Sequence, residues 1–147
     1  MIDHGELMRN IFVYGTLKRG YPNFDVGMGG TTFVGVYRTI ELYPLVIGGP
    51  WFTPNLIDEP GSGHKVTGEI FTATDEAVEF LDHFESTHIS TGYRRVERSF
   101  EALESGNLTT AWVYVRDREN IDGVIEELTD SYPLDKRYII PSKRTKI

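Results

Sequence analysis

Two features of the sequence could do chemistry, and the first is Glu85. At about 100° per residue, a helix over 74–85 places Ala77, Phe80, Leu81 and Phe84 on one face, with Val78 at its margin. Glu76, Glu79, Asp82, His83 and Ser86 fall on the other. Glu85 does not join them. It projects between the directions of Leu81 and Val78, inside the apolar arc. A carboxylate aimed at a core costs several kcal/mol if it stays charged and unpaired. It must be neutral, be paired or line a cavity. Burial raises a carboxyl pKa toward the range that general acid–base catalysis needs. The plainer alternative is a frayed helix end, with Glu85 turned to solvent.

The second feature is Val13-Tyr14-Gly15-Thr16-Leu17-Lys18-Arg19-Gly20. Ile11 to Tyr14 is a short run of β-branched and aromatic residues and reads as a strand. It stops abruptly at Gly15, which permits backbone angles that other residues avoid. Gly20 and Pro22 close the segment as a turn. Thr16, Lys18 and Arg19 read as exposed polar groups. Backbone N–H groups at such a strand end can bind a carboxylate or a developing oxyanion. An ordinary turn after a strand would have the same composition.

Other polar groups point less clearly to a site. His83 and His88 are five apart and fit no known ligand spacing, so no metal site is expected. Arg94-Arg95 and Lys143-Arg144 read as solvated charges. Tyr93 opens a strand soon after Glu85, where a site tyrosine and a core tyrosine would look alike. Trp51 and Trp112 read as core. There is no Gly-x-Ser-x-Gly elbow, which argues against a serine hydrolase.

Those residues need a scaffold to hold them. The chain has 147 residues, enough for one domain with a real core. A net charge of −7 argues against a general grip on nucleic acid or an anionic membrane. With no cysteine, disulfides and thiol catalysis are excluded. No apolar run approaches the roughly 20 residues of a spanning helix. Met1 to Glu6 lacks the basic start and apolar middle of a signal peptide. The expected location is therefore cytoplasmic.

The expected elements run in order. Residues 1–9 are a loose leader, followed by a strand over 10–14. The stretch 20–30 is a glycine-rich loop with at most one helical turn; whether Gly27 to Gly30 forms a lid stays open. Strands follow over 32–40, with a bulge or bend at Gly35, and over 42–47, with Pro44 at its start or on an edge. Residues 51–57 are irregular or a short strand, and 60–63 a turn. A strand over 66–73 leads into the helix at 74–85, which Thr74 caps while Asp75 and Glu76 suit its positive end. Strands over 93–100 and 109–116 flank Ser105-Gly106-Asn107. Residues 122–128 read as a short helix, and 141–147 as a loose basic tail. Many short strands around one helix fit an α+β fold, a small mixed β-barrel with flanking helices. The whole of 1–147 is one such domain.

Several of these stretches carry a resemblance. Val13 to Gly20 with Pro22-Asn23, Tyr43 to Ile47, Pro60 to Gly63 and Phe80 to Ser86 occur in an order that resembles the gamma-glutamylcyclotransferase-like (AIG2-like) family, over roughly residues 11–116. They resemble its amine-releasing branch most. The resemblance implies a mixed barrel and a small-molecule γ-glutamyl amine substrate. The substrate's own α-amine closes on the γ-carbonyl, giving 5-oxoproline and a free amine such as lysine from γ-glutamyl-ε-lysine. No cofactor is implied. Glu85 matches the family's general acid–base glutamate. Tyr14, Gly15, Thr16 and Leu17 match the loop that holds the substrate's carboxylate, and Tyr93 matches a tyrosine in or near the site. Pro50 to Asn55 departs from the branch. If it lines the leaving-group side, the amine released is in doubt and ring closure is not. Rival readings are a cyclotransferase for γ-glutamyl amino acids and a non-catalytic module binding a γ-glutamyl or other carboxylate. A third is an interaction protein with a sheet edge near Pro44. The chain is expected to be a monomer.

Overall fold

The computed structural model describes residues 8–144. The first elements are β1 (Arg9–Val13), α1 (Phe24–Gly27), β2 (Thr31–Thr39), β3 (Leu45–Gly48), β4 (Thr53–Leu56) and β5 (Thr67–Ala73). They are followed by α2 (Asp75–Phe84), β6 (Arg94–Ala102), β7 (Leu108–Val115) and β8 (Val124–Leu128). Five strands close into a barrel in the order β1-β5-β2-β6-β7. Its contacts are antiparallel except at the seam, where β1 meets β7 in parallel through Ile11 and Trp112. A second sheet of order β4-β3-β8 lies beside it. This is the small α+β mixed barrel expected.

The apolar run in β1 is buried on both faces, because strand side chains alternate. Phe12 enters a core with Ile70, Phe100 and Val113. Ile11 and Val13 point the other way and pack with Phe71, Ala73, Ala77, Val78 and Leu81. The helix α2 covers this second core. Thr74 caps it by accepting the N–H of Ala77 at 3.1 Å. At Gly35 the register of β2 against β5 shifts, as its glycine suggests.

Four expectations need correction. Residues 122–128 do not form a helix: Val124–Leu128 is β8, paired antiparallel with β3. Its residues are mostly solvent-exposed, so neither period shows, and the open edge of β3 decides the conformation. Arg9 belongs to β1, and Pro141–Lys143 is a 3₁₀ turn followed by the half-buried Arg144, so these residues are not loose ends. Met8 is irregular and exposed, and residues 1–7 and 145–147 lie outside the described residues. On α2 the buried residues are Ala77, Val78 and Leu81, while Phe80 is 50% exposed and stacks on Phe84. The buried face is therefore rotated toward Val78, which brings Glu85 nearer its centre. Thr16 and Lys18 are buried rather than exposed.

Candidate active site

The loop after β1 is built by its own hydrogen bonds. The N–H of Lys18 donates to the carbonyl of Gly15 at 3.1 Å, and the N–H of Asn23 to the carbonyl of Thr16 at 2.9 Å. The side-chain amide of Asn23 donates to Thr16 Oγ1 at 2.9 Å. Lys18 reaches inward to donate to the carbonyl of Tyr132 at 2.9 Å, and burial lowers its pKa. Gly15 is required by space rather than by backbone angle. Its φ is not positive. A Cβ there would stand 2.6 Å from Pro54 Cγ, a rigid ring carbon. The N–H groups of Gly15, Thr16 and Leu17 have no acceptor among the described residues, so they are free for a ligand.

Glu85 stands immediately after α2. Its N–H donates to the carbonyl of Leu81 at 2.8 Å, so the helical bonding runs up to it. Its carbonyl accepts the N–H of Tyr93 at 3.2 Å, which joins the helix end to the start of β6. Between the two, Ser86 has φ of 59°. The frayed end turned to solvent is not what the chain adopts: Glu85 is half-buried and lines a cavity of about 370 Å³.

Tyr14 to Leu17, Glu85 and Tyr93 all line this one cavity. The two tyrosines enter in a restricted way. The Tyr14 hydroxyl donates to the carbonyl of Tyr114 at 2.8 Å and accepts the N–H of Leu56 at 3.1 Å. It is a strut between β1, β4 and β7, and burial raises its pKa. The Tyr93 hydroxyl donates to the carbonyl of Pro54 at 2.8 Å. Burial, then the nearby Glu85, raises its pKa as well. Both phenols stay protonated at neutral pH.

The electrostatics centre on Glu85. Burial pushes its pKa from 4.5 up to about 7, while the positive charges of Arg116 and Arg144 pull it down. Arg116 follows β7 and lies over the Tyr93 ring, its Cζ 4.5 Å from the centroid. It donates to Asn55 Oδ1 at 3.2 Å and to the carbonyl of Thr91 at 3.1 Å. A carboxyl poised near neutrality can take a proton and return it.

Sequence reasoning missed both arginines as site residues. Arg116 had a signal, a lone cation ending an apolar strand. Arg144 had none, since only the closed fold turns the C-terminal segment over the cavity. The neighbouring arginines of the paired motifs are held elsewhere: Arg94 by Asp58 and Asp117, Arg95 by Asp82. Trp51 is not core, because it lines the cavity with Thr53 and Pro54. Trp112 is half-buried on the outside, with the guanidinium groups of Arg9 and Arg95 against its ring. His83 and His88 stack on each other at 4.9 Å, outside the cavity. Among the described residues, no three His, Cys, Asp or Glu gather as a metal site would need. Nor is any described helix long and apolar enough to cross a membrane.

Residues 11–134 match the family described as gamma-glutamyl cyclotransferase, AIG2-like. The chain belongs to that family. Within it, the chain is 39% identical over 129 residues to gamma-glutamylaminecyclotransferase B of Danio rerio, covering 83% of this chain and 66% of that one. It is 47% identical over 83 residues to gamma-glutamylaminecyclotransferase of Homo sapiens, covering 54% of each. The crystal structure of an AIG2-like protein from Mus musculus superposes with a TM-score of 0.67 at 39% identity. That match covers 74% of this chain and 76% of that one. The chain thus spans about two thirds of the zebrafish relative and about half of the human one.

Proposed function

We propose that the cavity catalyses ring closure of γ-glutamyl amines to 5-oxoproline with release of the free amine. The observation that carries this reading is the placement of Glu85, poised near neutrality, in the same cavity as the Tyr14 to Leu17 loop. The names of the relatives and the family match support it.

The chemistry needs no external nucleophile. The Glu85 carboxylate takes a proton from the substrate's α-ammonium. The freed amine nitrogen attacks the γ-carbonyl carbon, and its electron pair forms the new C–N bond. The carbonyl electrons move onto oxygen. Glu85 returns that proton to the departing nitrogen, whose bond to carbon breaks as the tetrahedral centre collapses; it then carries the surplus proton of the ring nitrogen to the released amine, which leaves as an ammonium. The products are 5-oxoproline and the amine. The open N–H groups of Gly15, Thr16 and Leu17 hold the α-carboxylate and steady the oxyanion. Holding the amine against the carbonyl contributes about 7–11 kcal/mol. The cavity supplies that positioning through a loop pinned by Asn23 and Pro54 and a helix end pinned by Tyr93.

The test is 5-oxoproline release, followed by chromatography, from γ-glutamyl-ε-lysine, γ-glutamyl-alanine and glutathione. Turnover of the first above the other two is expected. Tight binding of γ-glutamyl-ε-lysine with no 5-oxoproline would favour the non-catalytic binding module instead.

A further inference from the structure

The cavity holds a strongly charged group, Arg144, that ring closure does not use. Arg144 lines it and lies beyond residues 11–134 that match the family. Its guanidinium is fixed on three sides. Nε donates to the carbonyl of Ile139 at 3.0 Å, Nη2 donates to the Tyr138 hydroxyl at 3.1 Å, and Cζ lies 4.7 Å from the centre of the Trp51 ring. The Tyr138 hydroxyl also accepts from Asn23 at 2.7 Å, so this group is braced against the substrate loop. Those bonds use two of the five N–H donors of an arginine. Among the described residues, Arg144 forms no ion pair, while most other arginines do. A half-buried guanidinium with its fork held rigid and open is built to take a carboxylate from a ligand.

Which carboxylate follows from the order of groups along the substrate. The α-carboxylate of the glutamyl half is met by the loop N–H groups, and the amide sits at Glu85. The leaving group continues from the amide at Glu85, and Arg144 lies near enough for its charge to act on Glu85. Asp122 lines the same cavity, is exposed and forms no ion pair among the described residues. Arg144 and Asp122 therefore offer a cation and an anion in the same cavity.

We propose that Arg144 is a specificity-determining residue that binds the carboxylate of the leaving amine, with Asp122 receiving its ammonium. The pair then selects leaving groups that carry an amino-acid head, over plain alkyl amines. This rests on the ring-closure reading above. It assigns a role to Trp51 as well, as the platform on which the guanidinium lies.

The experiment compares three substrates that share the amide and the chain length of the leaving group. They are γ-glutamyl-ε-lysine, γ-glutamyl-cadaverine, which lacks the carboxylate, and γ-glutamyl-6-aminohexanoate, which lacks the ammonium. The readout is the ratio of kcat/KM between substrates, which an overall loss of folded protein does not move. Arg144→Gln is expected to lower the lysine-to-cadaverine ratio by about 10- to 100-fold, the size of a hydrogen-bonded charge contact. Arg144→Lys restores part of it. Asp122→Asn lowers the lysine-to-aminohexanoate ratio, by a smaller factor because Asp122 is exposed. An unchanged lysine-to-cadaverine ratio in Arg144→Gln overturns the proposal. So does an equal fall on all three substrates, which would place Arg144 on the glutamyl carboxylate. If the wild type releases no 5-oxoproline, ring closure fails first. The same ratios, read as Kd by calorimetric titration, then decide the role of Arg144 separately.

Discussion

The N–H of Tyr93 donates to the carbonyl of Glu85 at 3.2 Å. Through this one bond the start of β6 fixes the residue that ends α2. The carboxyl of Glu85 and the ring of Tyr93 consequently face the cavity together, and Arg116 lies over that ring. Glu85 is thus held by its own backbone and by its neighbour's, which is what a proton carrier at a helix end requires.

Burying Glu85 has a cost that depends on pH. Its pKa is raised from 4.5 to about 7 in the folded chain, chiefly by burial. The folded state therefore binds the proton more tightly than the unfolded state. The contribution of Glu85 to stability is fully present at low pH and is lost as pH rises through roughly 4.5 to 7. Glu85→Gln mimics the protonated form and escapes that loss. The variant is expected to be more stable than wild type by about 1–3 kcal/mol at pH 8. The gap should close by pH 4. Thermal unfolding of both proteins at the two pH values checks this, and a gap of the opposite sign would refute the burial argument.

Arg116 opposes that burial by favouring the Glu85 carboxylate. Arg116→Gln retains an amide toward Asn55 but removes the charge. The pKa of Glu85 should rise further, so the acid limb of kcat/KM should move to higher pH than in wild type. A limb that stays in place or moves down would show that the charge of Arg116 does not reach Glu85.

Gly15→Ala tests the loop. The added carbon would lie 2.6 Å from Pro54 Cγ, so the loop or Pro54 must shift. Misplacement on the ångström scale can cost about 100-fold in rate. The variant is expected to keep its circular dichroism while kcat/KM falls by about that factor. Full activity would mean that the loop N–H groups are not held in place by this contact.

Much of this arrangement was legible in the sequence, and the exceptions share a cause. The helix, its cap and the odd position of Glu85 follow from a 3.6-residue period. The barrel strands follow from short apolar runs between turn residues. Both are local signals. The exposed residues of β8 carry no period that separates strand from helix, and only pairing with β3 makes them a strand. Periodicity puts Phe80 in the apolar arc but does not say which part of the arc meets the barrel. At Gly15 the sequence suggests unusual backbone angles, whereas the contact with Pro54 is what requires glycine. The Tyr14 hydroxyl bonds to residues far along the chain. Arg144 reaches the cavity only after the C-terminal segment folds back over Trp51. Contacts that depend on chain closure leave no mark on a local pattern.

The most direct test of the account is the activity of Glu85→Gln on γ-glutamyl-ε-lysine, measured as 5-oxoproline release across pH 5 to 9. Gln keeps the size and hydrogen-bonding capacity of the side chain but cannot carry the proton. The account predicts a loss of about 10²- to 10⁴-fold and the disappearance of the acid limb near pH 7. Activity equal to wild type, with the same acid limb, would remove Glu85 from the mechanism.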